Sequence, residues 1–131
     1  DRGRALADVA DGELASADLE APVRFLAEYD NAFLSHADRT RITGEIAWGT
    51  DYVRRGAFFV DGFLAGPWLL TRPKQPSRAR PGPSVLELEP RIPVGVAARR
   101  QVEDEGRRLA TWLHAGEHVG EPRNLEVRWI G

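Results

Sequence analysis

The chain is most constrained between Gly56 and Thr71, where two apolar runs, AFFV and FLAGPWLL, meet across Asp61–Gly62. Asp-Gly suits a two-residue type I′ turn, whose two central residues both need positive φ. With β-prone residues on either side, the pattern predicts an antiparallel hairpin of Phe58–Val60 against Phe63–Leu70. Gly66–Pro67 interrupts the second run. Proline donates no hydrogen bond to a ladder, so this dipeptide marks an edge or a bulge.

Downstream, SVLELE (Ser84–Glu89) alternates in period two with Leu86 and Leu88 facing one way, which reads as a strand. LEVRWI (Leu125–Ile130) reads the same way, with Leu125, Val127 and Trp129 on one face. Between them the spacing predicts one long helix, Pro93–His114, in which Val94, Ala98, Val102, Leu109, Trp112 and Leu113 form an apolar stripe. Ala97 and Ala110 widen that stripe, and Leu109→Asp is expected to bury a carboxylate in it. Gly106 sits inside the pattern at a cost of about 1 kcal/mol relative to Ala. Gly116 is a natural stop. Upstream, Val23, Phe25 and Leu26 open a compact apolar segment after Pro22. Residues 1–22 read as an acidic lead-in or linker, and residues 72–84, rich in Pro and Arg, as a mobile basic loop. The expected fold of residues 23–131 is α+β: a small, mostly antiparallel sheet of barrel-like form with one long helix packed on it.

A chain of 131 residues is one domain's worth and can hide roughly two-thirds of its unfolded surface. It contains no Cys, which excludes disulfides, thiolate metal sites and a cysteine nucleophile. No apolar run approaches the roughly 18 residues of a membrane span, so no membrane partner is expected. The chain has no Met and its first residues lack a signal-peptide order. It reads as a cytoplasmic fragment of a longer protein.

The formal charge is −2, unevenly spread: residues 1–30 carry eight acids against three Arg, whereas residues 31–81 carry eight bases against four acids. Of the 18 bases, 17 are Arg. Arginine suits bidentate phosphate and carboxylate recognition, yet only the middle third has a basic surplus.

Candidate chemistry is sparse. His114 and His118 are four apart, but Gly116 lies between them and Ala115 breaks the HExxH frame, so helix-terminal polar residues describe them better than metal ligands. No metal or cofactor is expected. His36 lies in SHADRTR with Ser35, Asp38 and Arg39. Triads are assembled from separated elements, so this local set reads first as a turn in which Ser35 and Asp38 bind backbone and Arg39 caps or pairs. A hydrolase-type site around Ser35 and His36 is the catalytic alternative. Glu87 and Glu89 share the strand face opposite Leu86 and Leu88, and Glu103, Asp104 and Glu105 lie on the helix surface; none suggests acid–base work.

RFLAEYDNAFLSHADRTRI (Arg24–Ile42) resembles a signature of bacterial winged-helix DNA-binding-domain proteins, a family that includes the AlkZ-like and YcaQ-like DNA glycosylases. Glu28, Tyr29, Asp30, Asn31, Leu34, Ser35, His36, Asp38, Arg39, Arg41 and Ile42 carry the match. The later order is also similar: the Phe59–Trp68 hairpin, the Leu86–Pro90 strand, the Glu103–Leu109 helix segment and the Leu125–Trp129 strand. The resemblance implies the carboxy-terminal domain of a protein about three times as long, following tandem winged-helix units. Glycosylases of the family carry a Gln-x-Gln-type catalytic pair in the winged-helix region. Nothing here matches it, because the only Gln are Gln75 and Gln101. The implied role is an accessory one, with double-stranded DNA and the amino-terminal winged-helix region as partners. The implied DNA-contacting residues are His36, Asp38, Arg39 and Arg41, then Arg54 and Arg55, which are all that remains of a basic run in relatives. A purely structural interdomain or protein-interaction module is the rival.

Overall fold

A computed structural model of the chain describes residues 11–13, 15, 16, 18–46, 52, 54–72, 83–115 and 125–131. The hairpin forms where its turn chemistry requires. β2 (Gly56–Val60) and β3 (Phe63–Thr71) pair antiparallel, with Asp61 at φ 50° and Gly62 at φ 77°. The Asp61 carboxylate also accepts the Ala21 N–H at 3.0 Å, which ties the incoming chain to the turn. Gly66–Pro67 does mark a bulge: Phe58 faces Gly66 but Phe59 faces Leu64, leaving Ala65 as the extra residue.

Around the hairpin the sheet runs in the order β1-β2-β3-β4-β5, where β1 is Arg24–Leu26, β4 is Ser84–Leu88 and β5 is Leu125–Trp129. The first three pairings are antiparallel and the fourth, β4 with β5, is parallel. The parallel pair follows from the helix α3 (Val96–Ala115). Its 20 residues span about 30 Å, enough to carry the chain back to the start of β4. The expectation of a barrel-like form is corrected here. β1 and β5 stand at opposite edges and α3 lies across the face between them, touching both, so the sheet is open.

Two cores form on the two faces. On the α3 side, Val23, Phe58, Ala65, Leu86, Leu88 and Val102 are buried, with Phe25, Trp68, Leu70, Val127 and Trp129 packed around them. On the other side, Phe33, Tyr52, Ala57, Phe59 and Leu64 make a second cluster with Leu26, Ile42 and Ile46. The second cluster is roofed by two short helices, α1 (Asn31–Leu34), just before the SHADRTR segment that reads as a turn, and α2 (Thr40–Thr43), at its end.

The long helix differs from expectation in three ways. It begins at Val96, after Gly95, whose carbonyl accepts the Arg99 N–H, so Pro93 precedes the first turn. Its buried line is Val102, Gly106 and Ala110, while Leu109 is half-buried and Trp112 is 72% exposed. At about 100° per residue, Trp112 falls roughly a third of a turn from the centre of that line. Finally, Gly106 is not a tolerated defect. A Cβ there would collide with the Leu86 side chain, so glycine is what lets α3 approach β4. Residues 73–82 of the loop expected at 72–84, and Trp48, His118 and Gly116, lie outside the described residues.

The phase of α3 is checked by three aspartates. Val102→Asp is expected to cost about 4 kcal/mol or more, Leu109→Asp less, and Trp112→Asp within about 0.5 kcal/mol, in chemical denaturation. Gly106→Val should cost about 1–3 kcal/mol through overpacking against Leu86. A Trp112→Asp variant less stable than Val102→Asp would reverse the assigned face.

Candidate nucleic-acid interface

The segment Asp30–Gly44 is organised by its own side chains. The Asp30 carboxylate caps α1 by accepting the Ala32 N–H at 2.8 Å. Phe33 anchors the helix in the second core, edge-on to Phe59 at 5.9 Å between ring centres. α1 is one turn long, so its last carbonyls need outside donors. Arg39 supplies them: its Nε donates to the Phe33 carbonyl at 2.9 Å and an Nη to the Leu34 carbonyl at 3.0 Å. The same guanidinium lies 5.9 Å from the centre of the Phe33 ring. Asp38 opens α2 by accepting from the Thr40 N–H at 3.0 Å and its hydroxyl at 2.7 Å. Gly44, at φ 58°, closes it.

The sequence-predicted residues therefore separate into two groups. Arg39 and Asp38 hold the turn, and the carboxylate partner expected as one option for Arg39 is replaced by two helix-terminal carbonyls. His36 and Arg41 are exposed on the surface of that turn. Ser35 is exposed too, and its backbone N–H donates to the Asn31 carbonyl.

Arg54 and Arg55 also differ from each other. Arg54 is exposed. Arg55 is drawn inward by Glu89, whose carboxylate it meets at 2.5 Å; Arg91 meets the same carboxylate at 2.9 Å. Alternation puts Glu89 on the strand face of Glu87, the outward one, but β4 ends at Leu88 and the chain runs on, with the Glu89 and Arg91 N–H groups donating to the Pro67 and Ala65 carbonyls. Sequence reading does not find this cluster, because Arg55 and Glu89 are 34 residues apart and meet only through the order of β2, β3 and β4. Arg91 forms part of an open cleft of about 690 Å³ whose other walls include Thr43, Gly44 and Glu45 at the end of α2, with Phe63 and Ile92. The α1–α2 segment, the cleft and the Arg55–Glu89–Arg91 cluster are thus contiguous.

Neither Ser35 nor His36 lines this cleft or the second one, about 320 Å³, beside Trp68 and Leu113. No group of three or more potential ligands for a metal ion occurs among the described residues. No helix among them is long and apolar enough to cross a membrane. The helix carboxylates are engaged structurally: Glu103 accepts the Trp129 indole N–H at 3.0 Å, and Glu105 pairs with Arg108 at 2.7 Å.

Comparison with curated proteins and with solved structures gives no match. A protein-family model described as DNA glycosylase AlkZ-like matches residues 1–112. The matched stretch takes in the α1–α2 turn, the hairpin and the cleft, together with most of α3, and ends before β5. The chain belongs to the AlkZ-like DNA glycosylase family, a DNA-repair-related family.

Proposed function

We propose that this chain is an accessory domain, the carboxy-terminal one, of an AlkZ-like protein with winged-helix units. It contacts the DNA backbone and buttresses the region that carries catalysis. The observation that carries this reading is the division of labour among its arginines. Most described arginines are committed: Arg24, Arg55, Arg91, Arg107, Arg108 and Arg128 to carboxylates, Arg39 to carbonyls. Arg41 and Arg54 are exposed and make no ion pair with another described residue; the same holds for Arg100, which lies on α3 at the opposite face of the sheet. An exposed guanidinium on a braced turn suits phosphate, which positions a duplex without reading its sequence. His36, exposed on the same turn, adds a donor. Asp38, Arg39 and Arg55 act behind them, holding the surface rather than touching the phosphates.

A second reading is favoured by Arg39 itself. Its guanidinium is spent on the Phe33 and Leu34 carbonyls, the kind of internal brace that a joint between this domain and the winged-helix region would use. Duplex affinity and melting temperature, measured on the same variants of the intact protein, separate the two readings. Non-specific binding lies at about 10⁻⁴–10⁻⁶ M, and a domain of net charge −2 belongs at the weak end. Arg41→Ala and Arg54→Ala are expected to weaken binding equally on all sequences, each lowering the salt slope by about one, with melting unchanged. Arg39→Ala should instead cost about 1–3 kcal/mol of stability by orphaning two carbonyls. Lower melting temperatures for Arg41→Ala and Arg54→Ala at an unchanged salt slope would make the segment a joint.

The chain alone is also expected to release no base from alkylated duplex DNA, as it holds no Gln-x-Gln pair. Base release abolished by His36→Ala would move catalysis into this domain.

A further inference from the structure

We propose that the edge of β5 pairs antiparallel with β5 of a second copy of this chain, about a twofold axis through Val127. β5 stands at the end of the sheet, with β4 as its one neighbour among the described residues. Backbone polar groups alternate sides along a strand. The Ile130 N–H donates to the Leu88 carbonyl at 2.8 Å, so Glu126 and Arg128 also turn their backbone groups toward β4. Leu125, Val127 and Trp129 therefore turn theirs outward, a row of donors and acceptors ready for another strand.

What selects a second copy over any other strand is self-complementarity. With Val127 opposite its own counterpart, the outward-facing residues fall on hydrogen-bonded pairs: Val127 with Val127, and Leu125 with Trp129. Glu126 then falls opposite Arg128 at the two remaining positions, which are non-hydrogen-bonded pairs, where side chains approach most closely. Within one chain Glu126 and Arg128 already meet at 2.8 Å, and Glu87 is the register partner of Arg128 on β4. Twofold pairing therefore extends a row of alternating charge, Glu87, Arg128 and then Glu126 of the second copy. Charges that protect an edge from self-pairing would be of one sign or turned inward; these are opposite in sign and two residues apart, so antiparallel pairing attracts. Hydrogen bonds, charge and the apolar face agree on one register, and the contact is isologous, closing at a dimer.

Sedimentation velocity on the chain, from low micromolar to near-millimolar concentration, tests this. A concentration-dependent dimer is expected. Val127→Pro removes an outward N–H that the β4 ladder does not use and should leave only monomer. Arg128→Glu sets like charges opposite each other and should weaken the dimer about tenfold or more, while the double variant Glu126→Arg/Arg128→Glu should restore it. The charge variants alter exposed side chains, so they decide the matter even where Val127→Pro fails to fold. A monomer at every concentration, or a dimer indifferent to charge reversal, overturns the proposal, and leaves the edge to a strand of different sequence.

Discussion

Strand β3 supplies side chains to both cores, and it can do so only because its alternation slips once. In a regular strand Leu64, Gly66, Trp68 and Leu70 would all face one way. The extra residue Ala65 breaks that parity, so Leu64 joins the cluster under α1 and α2 while Trp68 and Leu70 join the core under α3. Gly66 is the residue that makes room: a Cβ there would strike the Glu89 backbone as the chain leaves β4. The same crossing delivers Glu89 to Arg55. The bulge thus links the turn-bearing face, the helix-bearing face and the basic cluster.

The α3 side depends on a second close approach. With no side chain at Gly106, the helix settles onto Leu86, and its neighbours come within reach of β5. Glu103 accepts the Trp129 indole N–H, and the Arg99 guanidinium lies 4.7 Å from the centre of the same ring. Trp129 also packs edge-on to Phe58 at 6.2 Å. One indole therefore joins the outer strand, the helix and the central core. A bulkier residue at 106 would lift α3 away and strain these contacts together.

The sequence makes legible whatever is set by local chemistry. Asp61–Gly62 dictates a turn, Leu86 and Leu88 alternate, and Pro67 announces irregularity, and each is found where its pattern puts it. What escapes is set by distance. The parallel placement of β5 depends on how far α3 carries the chain, and the open sheet depends on where β5 lands. The phase of α3 misleads because Leu109, Trp112 and Leu113 weigh heavily in an apolar stripe, whereas the true line runs through Val102, Gly106 and Ala110, two of them nearly without side chains. At the candidate interface, SHADRTR is visible as a turn with capping residues. Its roofing of a second core is not, since Phe33 meets Phe59 only after the sheet forms.

The arginine content raises a separate question, because a family acting on DNA is represented here by a domain of slight negative charge. The answer lies in how the charges are spent. Along α3, Arg107 meets Glu103 and Asp104, and Arg108 meets Glu105, so that surface is close to neutral and largely screened. Glu89 sits between the Arg55 and Arg91 guanidinium groups. The α1–α2 segment has two acids, Asp30 and Asp38, each already accepting hydrogen bonds within it, with Arg41 exposed. A phosphate approaching this protein meets a local field rather than the net charge, because beyond about 8–10 Å of physiological salt the distant carboxylates are screened. The acidic lead-in and the paired helix surface are therefore compatible with an anion-facing turn, provided the contacts are few and close. On the proposed reading, such a surface would orient a duplex while contributing little affinity by itself.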